Sequence, residues 1–404
     1  MKKTLLLSVV ASTMIMAGGD IAPVEPVVEA PVVAEASGWD FSGQAVVYYQ
    51  TADAGDASLF DQASSLADAG IQLRAVNKDV FWGIGAGAEV NGLATLNLEN
   101  SIVSNVMQGT GGTDPLTGGW ISQLYLTAGF GNTSIKAGRQ ELPKSLSPFA
   151  FSEGWNVFKN TFDSVLVVNT DISNTAIVGA WVHAGNHNGI GAANDLSAFN
   201  TLNGDDGVYM LTAQNKSIDG LTLTGSWYYA ADMAVTDDIN ILWGDAKFAI
   251  AGATIGLQGG SVMSDAFAND TTAFGAKLGY NFGMFDTSIA YSTVDEGDTG
   301  LFNVGGVKTP LYTQMILNQA AIKSDNDTIV ARAGVKALGG KIGLAYNYTT
   351  DNSAANNDYT EFDLTYKTKV FNESTTLFAG YIYRDADVFA DSVNVLRFWA
   401  RYNF

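Results

Sequence analysis

The chain has 404 residues and a formal net charge of −20, from 21 basic and 41 acidic side chains. It contains no cysteine, which excludes disulfide scaffolds and cysteine-based zinc sites. Hydrophobic residues make up 47% of the chain. Beyond the first 20 residues, however, no apolar run reaches the 18 residues expected of a membrane-spanning helix. Nucleic acid is not expected among its partners.

Residues 1–17 are typical of a secretory signal peptide. Lys2 and Lys3 give it a positive start, and an apolar run over residues 5–16 follows. We expect cleavage after Ala17, within a residue or two because Ile15 is large for the −3 position. Loss of the two lysines takes the net charge from −20 to −22.

Residues 18–36 form a Pro-rich leader, with Pro23, Pro26 and Pro31 among Val, Ala and Glu. This composition favours a stiff, extended or disordered tether in the periplasm. The alternative is a peptide that binds the cell wall or another protein.

Residues 37–404 are predicted to form one outer-membrane β-barrel, because polar and apolar residues alternate along almost the whole segment. Phe362, Leu364 and Tyr366, for example, alternate with polar neighbours. We count about eighteen strands of the length that a tilted transmembrane strand needs. They are predicted at about 39–52, 68–76, 79–91, 119–129, 132–139, 163–169, 174–184, 207–214, 220–231, 239–249, 253–263, 271–281, 284–295, 327–337, 340–350, 358–369, 374–384 and 392–404.

The predicted connections alternate between short turns and long polar loops. Short turns such as Phe130-Gly131-Asn132, Phe282-Gly283 and Leu338-Gly339 contain glycine. Strict alternation of short and long connections is typical of an antiparallel up-and-down membrane barrel with periplasmic turns and extracellular loops. The long loops are predicted at about 53–67, 92–118, 140–162, 185–206, 232–238, 264–270, 296–326, 351–357 and 385–391.

The third long loop, residues 140–162, is rich in aromatic residues and contains two prolines. An apolar loop of this kind is expected to fold back against the wall and constrict the pore. The alternative is an outer lid that packs on neighbouring loops. The candidate constriction residues are Arg139, Glu141, Lys144, Glu153, Lys159 and Asp163.

Basic residues recur on the polar face of the predicted strands. A cation that faced lipid near the midplane would cost about 2–4 kcal/mol, so this face should line the lumen. A basic ladder in a narrow aqueous channel attracts anions, although it could also serve only to wet the wall. The candidate ladder is Arg74, Lys136, Lys247, Lys277, Arg332, Lys336, Arg397 and Arg401.

The last strand ends in Phe404, with Tyr402 and Phe398 on the same face. A terminal phenylalanine after an alternating aromatic strand is similar to the signal read by the bacterial outer-membrane assembly machinery. The expected location is therefore the outer membrane of a Gram-negative cell, among its lipids.

Residues for catalysis or metal binding are scarce. His183 and His187 lie at a strand end and in a Gly/Asn loop. Their spacing of four would suit a metal site on a helix, but in this segment they are better interpreted as neutral loop histidines. The acidic group near Asp295, Glu296 and Asp298 does not fit a calcium loop, because the position that needs a glutamate is Gly306. We expect no enzyme activity, cofactor or metal.

The chain resembles the major outer membrane porins of Campylobacter-type bacteria and, more distantly, the OprD-like porins. The resemblance rests on Gly138-Arg139-Gln140, the run NKSIDGLTLTG at 215–225 and the closing RFWARYNF at 397–404. It implies an eighteen-stranded barrel, commonly a homotrimer, with an inward loop and weak cation preference.

The leading functional hypothesis is a general porin for passive diffusion of small hydrophilic solutes and ions, with weak cation preference. That preference would come from acidic loops at the mouth, with a constriction of nearly balanced charge. One alternative is an OprD-like channel selective for small carboxylates. Another is a structural or adhesive surface protein.

Overall fold

The computed structural model describes residues 38–111, 117–234 and 237–404. The expected signal peptide and leader lie outside the described residues. Within the described part of the chain, no helix is long and apolar enough to cross a membrane. Regular structure there consists almost entirely of β-strands.

Over the described residues, eighteen long strands follow one another around a single antiparallel sheet. Each predicted strand corresponds to one of them, and the alternating pattern explains why: a period of two gives each strand one polar and one apolar face. The strands are β1 Asp40–Ala52, β2 Ser65–Phe81, β3 Ile84–Ala94, β4 Thr117–Phe130, β5 Thr133–Gln140, β6 Phe162–Asn169, β7 Thr175–Gly185, β8 Val208–Asn215, β9 Leu221–Ala234, β10 Asp237–Ile250, β11 Ala253–Met263, β12 Thr271–Asn281, β13 Phe285–Val294, β14 Asn326–Ala337, β15 Gly340–Asp351, β16 Tyr359–Val370, β17 Thr375–Ala386 and β18 Val393–Asn403.

The sheet closes on itself. Each strand pairs with the next in the chain, and β1 pairs with β18 in a register that runs from Gln44 opposite Asn403 to Ala52 opposite Val395. Beyond that register, Gly43 and Phe404 exchange two backbone hydrogen bonds, of 2.8 and 3.0 Å. Closure matters in lipid, where unpaired backbone groups on a sheet edge would find no water. The predicted all-β closed barrel is confirmed.

The short turns connect strands at one end of the barrel, which we call the turn end. At Leu338-Gly339 both residues have positive φ, 55° and 74°, as a two-residue hairpin turn of type I′ requires. The turn expected at 77–78 instead lies at Trp82-Gly83, because β2 runs on to Phe81. A register shift between Asn77 and Phe81 accompanies this extension.

One predicted long loop is replaced by strand. Residues 232–238 were expected to be a polar connection, yet β9 continues to Ala234 and β10 begins at Asp237. A register shift between Ala230 and Ala234 marks the irregular part of this hairpin. The other long loops lie at the opposite end of the barrel, the loop end.

The two faces of the wall differ in exposure as the alternation predicts. On β4, Leu124 and Leu126 are 57% and 58% exposed, whereas Tyr125 between them is 7% exposed. On β18, Phe398 and Tyr402 also point outward and are exposed. The outward face is therefore apolar, and the other face lines the lumen.

The main apolar core lies inside the barrel, where loop residues pack against the inward-facing side chains of the wall. A barrel of this size leaves a wide interior that wall side chains alone do not fill. Segments of loops 141–161, 186–207 and 295–325 enter it and are buried, together with part of 95–111. Inside, Gln108–Gly109 and Gly191–Asp195 form a short parallel pair.

Candidate functional site in the barrel lumen

The third loop, residues 141–161, crosses the lumen. On one side, Tyr48 of β1 donates a hydrogen bond to the Trp155 carbonyl at 2.9 Å. On the other side, the Phe149 amide donates to the hydroxyl of Tyr228 on β9 at 3.2 Å. The Phe149 ring also packs edge-on against Trp243 of β10, with centroids 5.3 Å apart. Because β1 and β9 lie eight strands apart around the ring, this loop divides the interior.

The second loop fixes the third in place. Gln108 Nε2 donates to the Phe158 carbonyl at 2.6 Å, and the Phe158 amide donates to Gln108 Oε1 at 2.7 Å. The Phe158 side chain is 1% exposed and meets the Trp120 ring edge-on, with centroids 6.1 Å apart. The aromatic residues of the third loop, which are unusual for a solvent-exposed loop, therefore pack in the interior of the barrel.

Glu153, a candidate constriction residue, is 1% exposed and does not face open lumen. Its Oε1 accepts hydrogen bonds from Asn303 Nδ2 and the Lys308 amide, both at 2.8 Å. Its Oε2 accepts from Trp155 Nε1 at 2.7 Å and from the Val307 amide at 3.1 Å. The carboxylate therefore joins the third loop to the seventh loop, residues 295–325.

A cluster of mixed charge forms where the third loop leaves and rejoins the wall. Lys159 Nζ lies 2.6 Å from Glu141 Oε2, with both side chains about one-fifth exposed. Glu141 also interacts electrostatically with Arg74, Lys136 and Glu89. Predicted constriction and ladder residues thus meet at one place, together with Glu89, which was not predicted, and cations and carboxylates nearly balance there.

An aromatic side chain organises the cations of this cluster. Tyr125 of β4 points into the lumen, and Lys136 Nζ lies 3.8 Å from the centre of its ring. Arg74 NH2 donates to the Tyr125 hydroxyl at 3.3 Å. Lys144, also predicted at the constriction, instead reaches the seventh loop and donates to the Thr309 carbonyl at 3.1 Å.

Arg139 and Asp163 lie apart from this cluster, on the outward face. Arg139 is directly opposite Leu124, and Asp163 is directly opposite Arg139. Opposed residues on neighbouring strands share a face, and Leu124 points outward. The two charges form a bidentate pair at 2.8 and 3.0 Å, under the ring of Phe199. Their position at the loop end lowers the cost of facing lipid.

Part of the predicted basic ladder lines open lumen. Lys247 shares the inner face of β10 with buried Trp243; it is 54% exposed and forms an ion pair with Asp245, with Nζ 3.3 Å from Oδ1. Lys336 shares the inner face of β14 with buried Val330 and is also exposed. Lys277 of β12 lies on the same inner side and interacts electrostatically with Lys247. These cations occupy the half of the lumen nearer the turn end.

Of the three other ladder residues, two hold the inward loops and one bonds to the wall. Arg332 is 4% exposed, and its NH2 donates to the Gln314 carbonyl at 2.9 Å. Arg397 is 3% exposed and donates through Nε to Gln50 Oε1 at 2.9 Å. Arg401 NH2 donates to the Val157 carbonyl at 3.0 Å. Two of these arginines therefore bind loop backbone rather than facing water.

A tyrosine attaches the seventh loop to the wall near Lys247. Tyr312 donates a hydrogen bond to Asp245 Oδ2 at 2.6 Å. Burial, together with the neighbouring Asp245 carboxylate, raises the pKa of the Tyr312 hydroxyl. The hydroxyl therefore stays protonated and remains a donor at neutral pH.

Several charged lumen residues were absent from the predicted site. Glu361 and Asp363 of β16 are 0% exposed and face Arg332 electrostatically. The sequence shows that they alternate with Phe362 and Leu364, and this alternation predicts that they face the lumen. Lys308, buried in the seventh loop, had no such signal, because a loop has no fixed period.

Metal ligands are not gathered in this site. Within the described residues, no group of three or more His, Cys, Asp or Glu side chains could hold a metal ion. His183 stacks on Trp181, with ring centroids 5.2 Å apart. His187 is exposed in the loop beyond β7.

Solved structures with a similar fold are outer-membrane channels. OccK8 (OprE) of Pseudomonas aeruginosa has a TM-score of 0.72 and 13% identity, over 91% of this chain and 98% of that chain. Acinetobacter baumannii OccAB4 gives 0.71 and 12%, over 92% and 99%. Pseudomonas aeruginosa OpdK, solved with vanillate, gives 0.71 and 15%, over 90% and 98%.

Sequence comparisons add no closer relationship. No protein-family model matches the chain, and no curated protein matches it. The predicted similarity to OprD-like porins agrees with the structures at the level of the fold, and the Campylobacter-type placement stays a prediction. The chain therefore has the fold of the Occ and OprD-type outer-membrane channels, over almost the full length of both partners in each comparison.

Proposed function

We propose that the chain is an outer-membrane channel that selects small solutes carrying a carboxylate. The observation that carries this proposal is the inner wall near the turn end, where Lys247, Lys277 and Lys336 project into a lumen divided by loops. A narrow aqueous path with fixed cations favours anions, because the low-dielectric wall focuses their field.

The inward loops favour selectivity over general diffusion. The third and seventh loops are joined at Glu153 and are held to the wall by Tyr48, Tyr228 and Arg332. Such fixed loops narrow the path, so a solute must contact the wall as it passes. The general porin with weak cation preference, our first hypothesis, fits this arrangement less well.

The carboxylate class has support from one structure of similar fold. OpdK was solved with vanillate, a small aromatic carboxylate. At 15% identity the likeness does not transfer a binding site, so the class rests on this chain's own cations. Export by residues 1–17, assembly through Phe404 and a homotrimeric state belong to the same proposal.

The test is uptake into proteoliposomes that contain the purified chain. We expect 4-hydroxybenzoate to enter faster than the neutral sugar arabinose, with a rate that saturates as its concentration rises. Equal, linear uptake of both solutes would indicate a general pore. Lack of uptake of either would favour the structural or adhesive alternative, with protein-free liposomes as the control.

A further inference from the structure

Each short turn of the described barrel carries a large apolar side chain, in the turn or next to it, that is exposed on the protein surface. Trp82, Leu338 and Phe371 are 88%, 83% and 78% exposed. All three also have positive φ, from 49° to 55°. Tight hairpin turns favour Gly, Asn or Asp at such positions, because a bulky side chain crowds its own backbone there. An apolar side chain held at a disfavoured position indicates a role that requires it.

The other five short turns extend the apolar outward face of the wall. Phe130 and Ile250 end β4 and β10 with the parity of the outward residues of those strands, and Phe282 continues that of β12. Ile172 and Ile218 lie in the two remaining turns. These five residues are 58% to 66% exposed. The five residues and the three above are called the turn ring.

The turn ring follows the whole rim of the barrel and does not form one patch. Each member belongs to a different hairpin, and neighbouring hairpins are two strands, about 10 Å, apart. A protein partner needs a contiguous apolar patch of roughly several hundred Å². Lipid, in contrast, surrounds the whole rim and is continuous with the apolar wall. The arrangement therefore fits lipid as the partner.

The height of the wall brings the turns to the level of lipid. A tyrosine with an apolar ring and a polar tip is typical of the membrane–water interface. Tyr348 is eight positions beyond Gly340, where β15 begins, a rise of roughly 21 Å at a tilt of about 40°. An apolar band of about 25 Å, measured from such tyrosines, therefore includes the turn. The outward tyrosines near the loop end donate to aspartates: Tyr229 to Asp238 at 2.8 Å, Tyr291 to Asp327 at 2.6 Å and Tyr348 to Asp358 at 2.5 Å.

The backbone of the turns suits a medium without water. The Leu338 carbonyl accepts a hydrogen bond from the Tyr366 hydroxyl at 2.7 Å, and the Gly339 carbonyl accepts one from the Thr368 hydroxyl at 2.8 Å. Water would satisfy these carbonyls without help, whereas in lipid an unpaired carbonyl is costly. Strand amides donate to other turn carbonyls: Ala249 to Gly220 at 2.8 Å, Asn281 to Gly252 at 2.8 Å and Lys336 to Met284 at 2.9 Å.

We propose that the turn ring is a lipid-binding surface, inserted among the headgroups and adjoining acyl chains of the leaflet at the turn end. The turns are thus part of the membrane-embedded wall. The tyrosine–aspartate pairs stay at the opposite interface, so the two ends together fix the depth of the barrel. This inference concerns the partner of the turn end and does not depend on which solutes pass through the lumen.

Introduced thiols test the surroundings of the turn ring, because the chain has no cysteine of its own. Leu338→Cys and Phe371→Cys are compared with Ala355→Cys, at an exposed position of the loop end. The purified full chain is reconstituted in phosphatidylcholine nanodiscs, which leave both ends open to solvent. A charged maleimide should react at least tenfold more slowly with the two turn thiols than with the thiol at 355. In the unfolded chain all three should react equally, which controls for intrinsic reactivity.

Spin labels at the same three positions give a second measurement. Oxygen, which concentrates in lipid, should collide with labels at 338 and 371 more often than a water-soluble nickel complex does, and this order should reverse at 355. Maleimide rates at the turns as high as at 355, or turn labels that collide mainly with nickel, would overturn the inference. Protection in the cell envelope but not in nanodiscs would also overturn it, since a protein partner would then cover the turns.

Discussion

Replacement of Glu153 by alanine should detach the seventh loop from the third. The Glu153 carboxylate accepts hydrogen bonds from Trp155 Nε1, Asn303 Nδ2 and the amides of Val307 and Lys308. Glu153→Ala leaves these buried donors unsatisfied, at about 1 kcal/mol each at the low end. The free energy that opposes local opening of the two loops should therefore fall by about 4 kcal/mol.

Hydrogen exchange and conductance report this opening. A loss of about 4 kcal/mol corresponds to roughly a thousandfold faster exchange of the Val307 and Lys308 amides, since each 1.4 kcal/mol is tenfold. The wall strands do not depend on Glu153, so their protection should be unchanged. Single-channel conductance should rise, because the detached loop no longer narrows the lumen.

Matched substitutions separate this effect from a general loss of charge. Glu153→Gln keeps one carbonyl oxygen in place and should give an intermediate acceleration. Glu296→Gln makes the same change at an exposed position of the seventh loop and should have no effect. If Glu153→Ala leaves the Val307 and Lys308 amides as protected as in the native chain, the idea that this carboxylate joins the loops is refuted.

Other predictions concern the third loop, the basic ladder and the last strand. Deletion of residues 145–158 should raise single-channel conductance clearly, and unchanged conductance would place this loop outside the ion path. Lys247→Gln combined with Lys336→Gln should shift the reversal potential in a potassium chloride gradient toward cations, because both cations are exposed in the lumen. Arg332→Gln should shift it less, since Arg332 is 4% exposed, and a shift as large as that of the lysines would contradict this ranking. Deletion of Phe404 should leave misassembled protein in the periplasm, whereas normal outer-membrane levels would remove the assembly role.

The barrel could be predicted because its signal is repeated in every strand. A single alternating segment is weak evidence for a strand. The regular alternation of short turns and long loops between the segments strengthens the prediction, because it fits one barrel. The error at the turn expected at 77–78 has a local cause. The register shift between Asn77 and Phe81 interrupts the period of two, so the pattern resembled two shorter strands.

The outward position of Asp163 was also encoded in the sequence. Asp163 has the same parity as Val165 and Val167, which lie opposite Ala137 and Ile135 on the neighbouring strand. Because Asp163 directly follows the apolar third loop, it was assigned to the constriction and not to the outward face of its strand. An ion pair with Arg139 lets the charge face outward, and no pattern within one strand reveals such a partner.

The loop contacts could not be predicted from the sequence. Glu153 and Asn303 are 150 positions apart and meet only because two loops enter the same lumen. The alternation of polar and apolar residues correctly predicted that Arg332 faces the lumen. Its burial, however, depends on the seventh loop, which covers it. The sequence pattern therefore gives the face of a wall residue, while its exposure is decided by loops without a period.

The seam between β1 and β18 has a consequence for folding kinetics. It pairs Gln44 with Asn403, 359 positions apart, whereas the other neighbouring strands in the described chain are joined by one turn or loop. Closing so long a stretch costs more entropy and slows the search for native pairing. Until the seam forms, both strands expose edges that can pair with other chains. The last contact to form would thus govern both the assembly rate and the risk of aggregation.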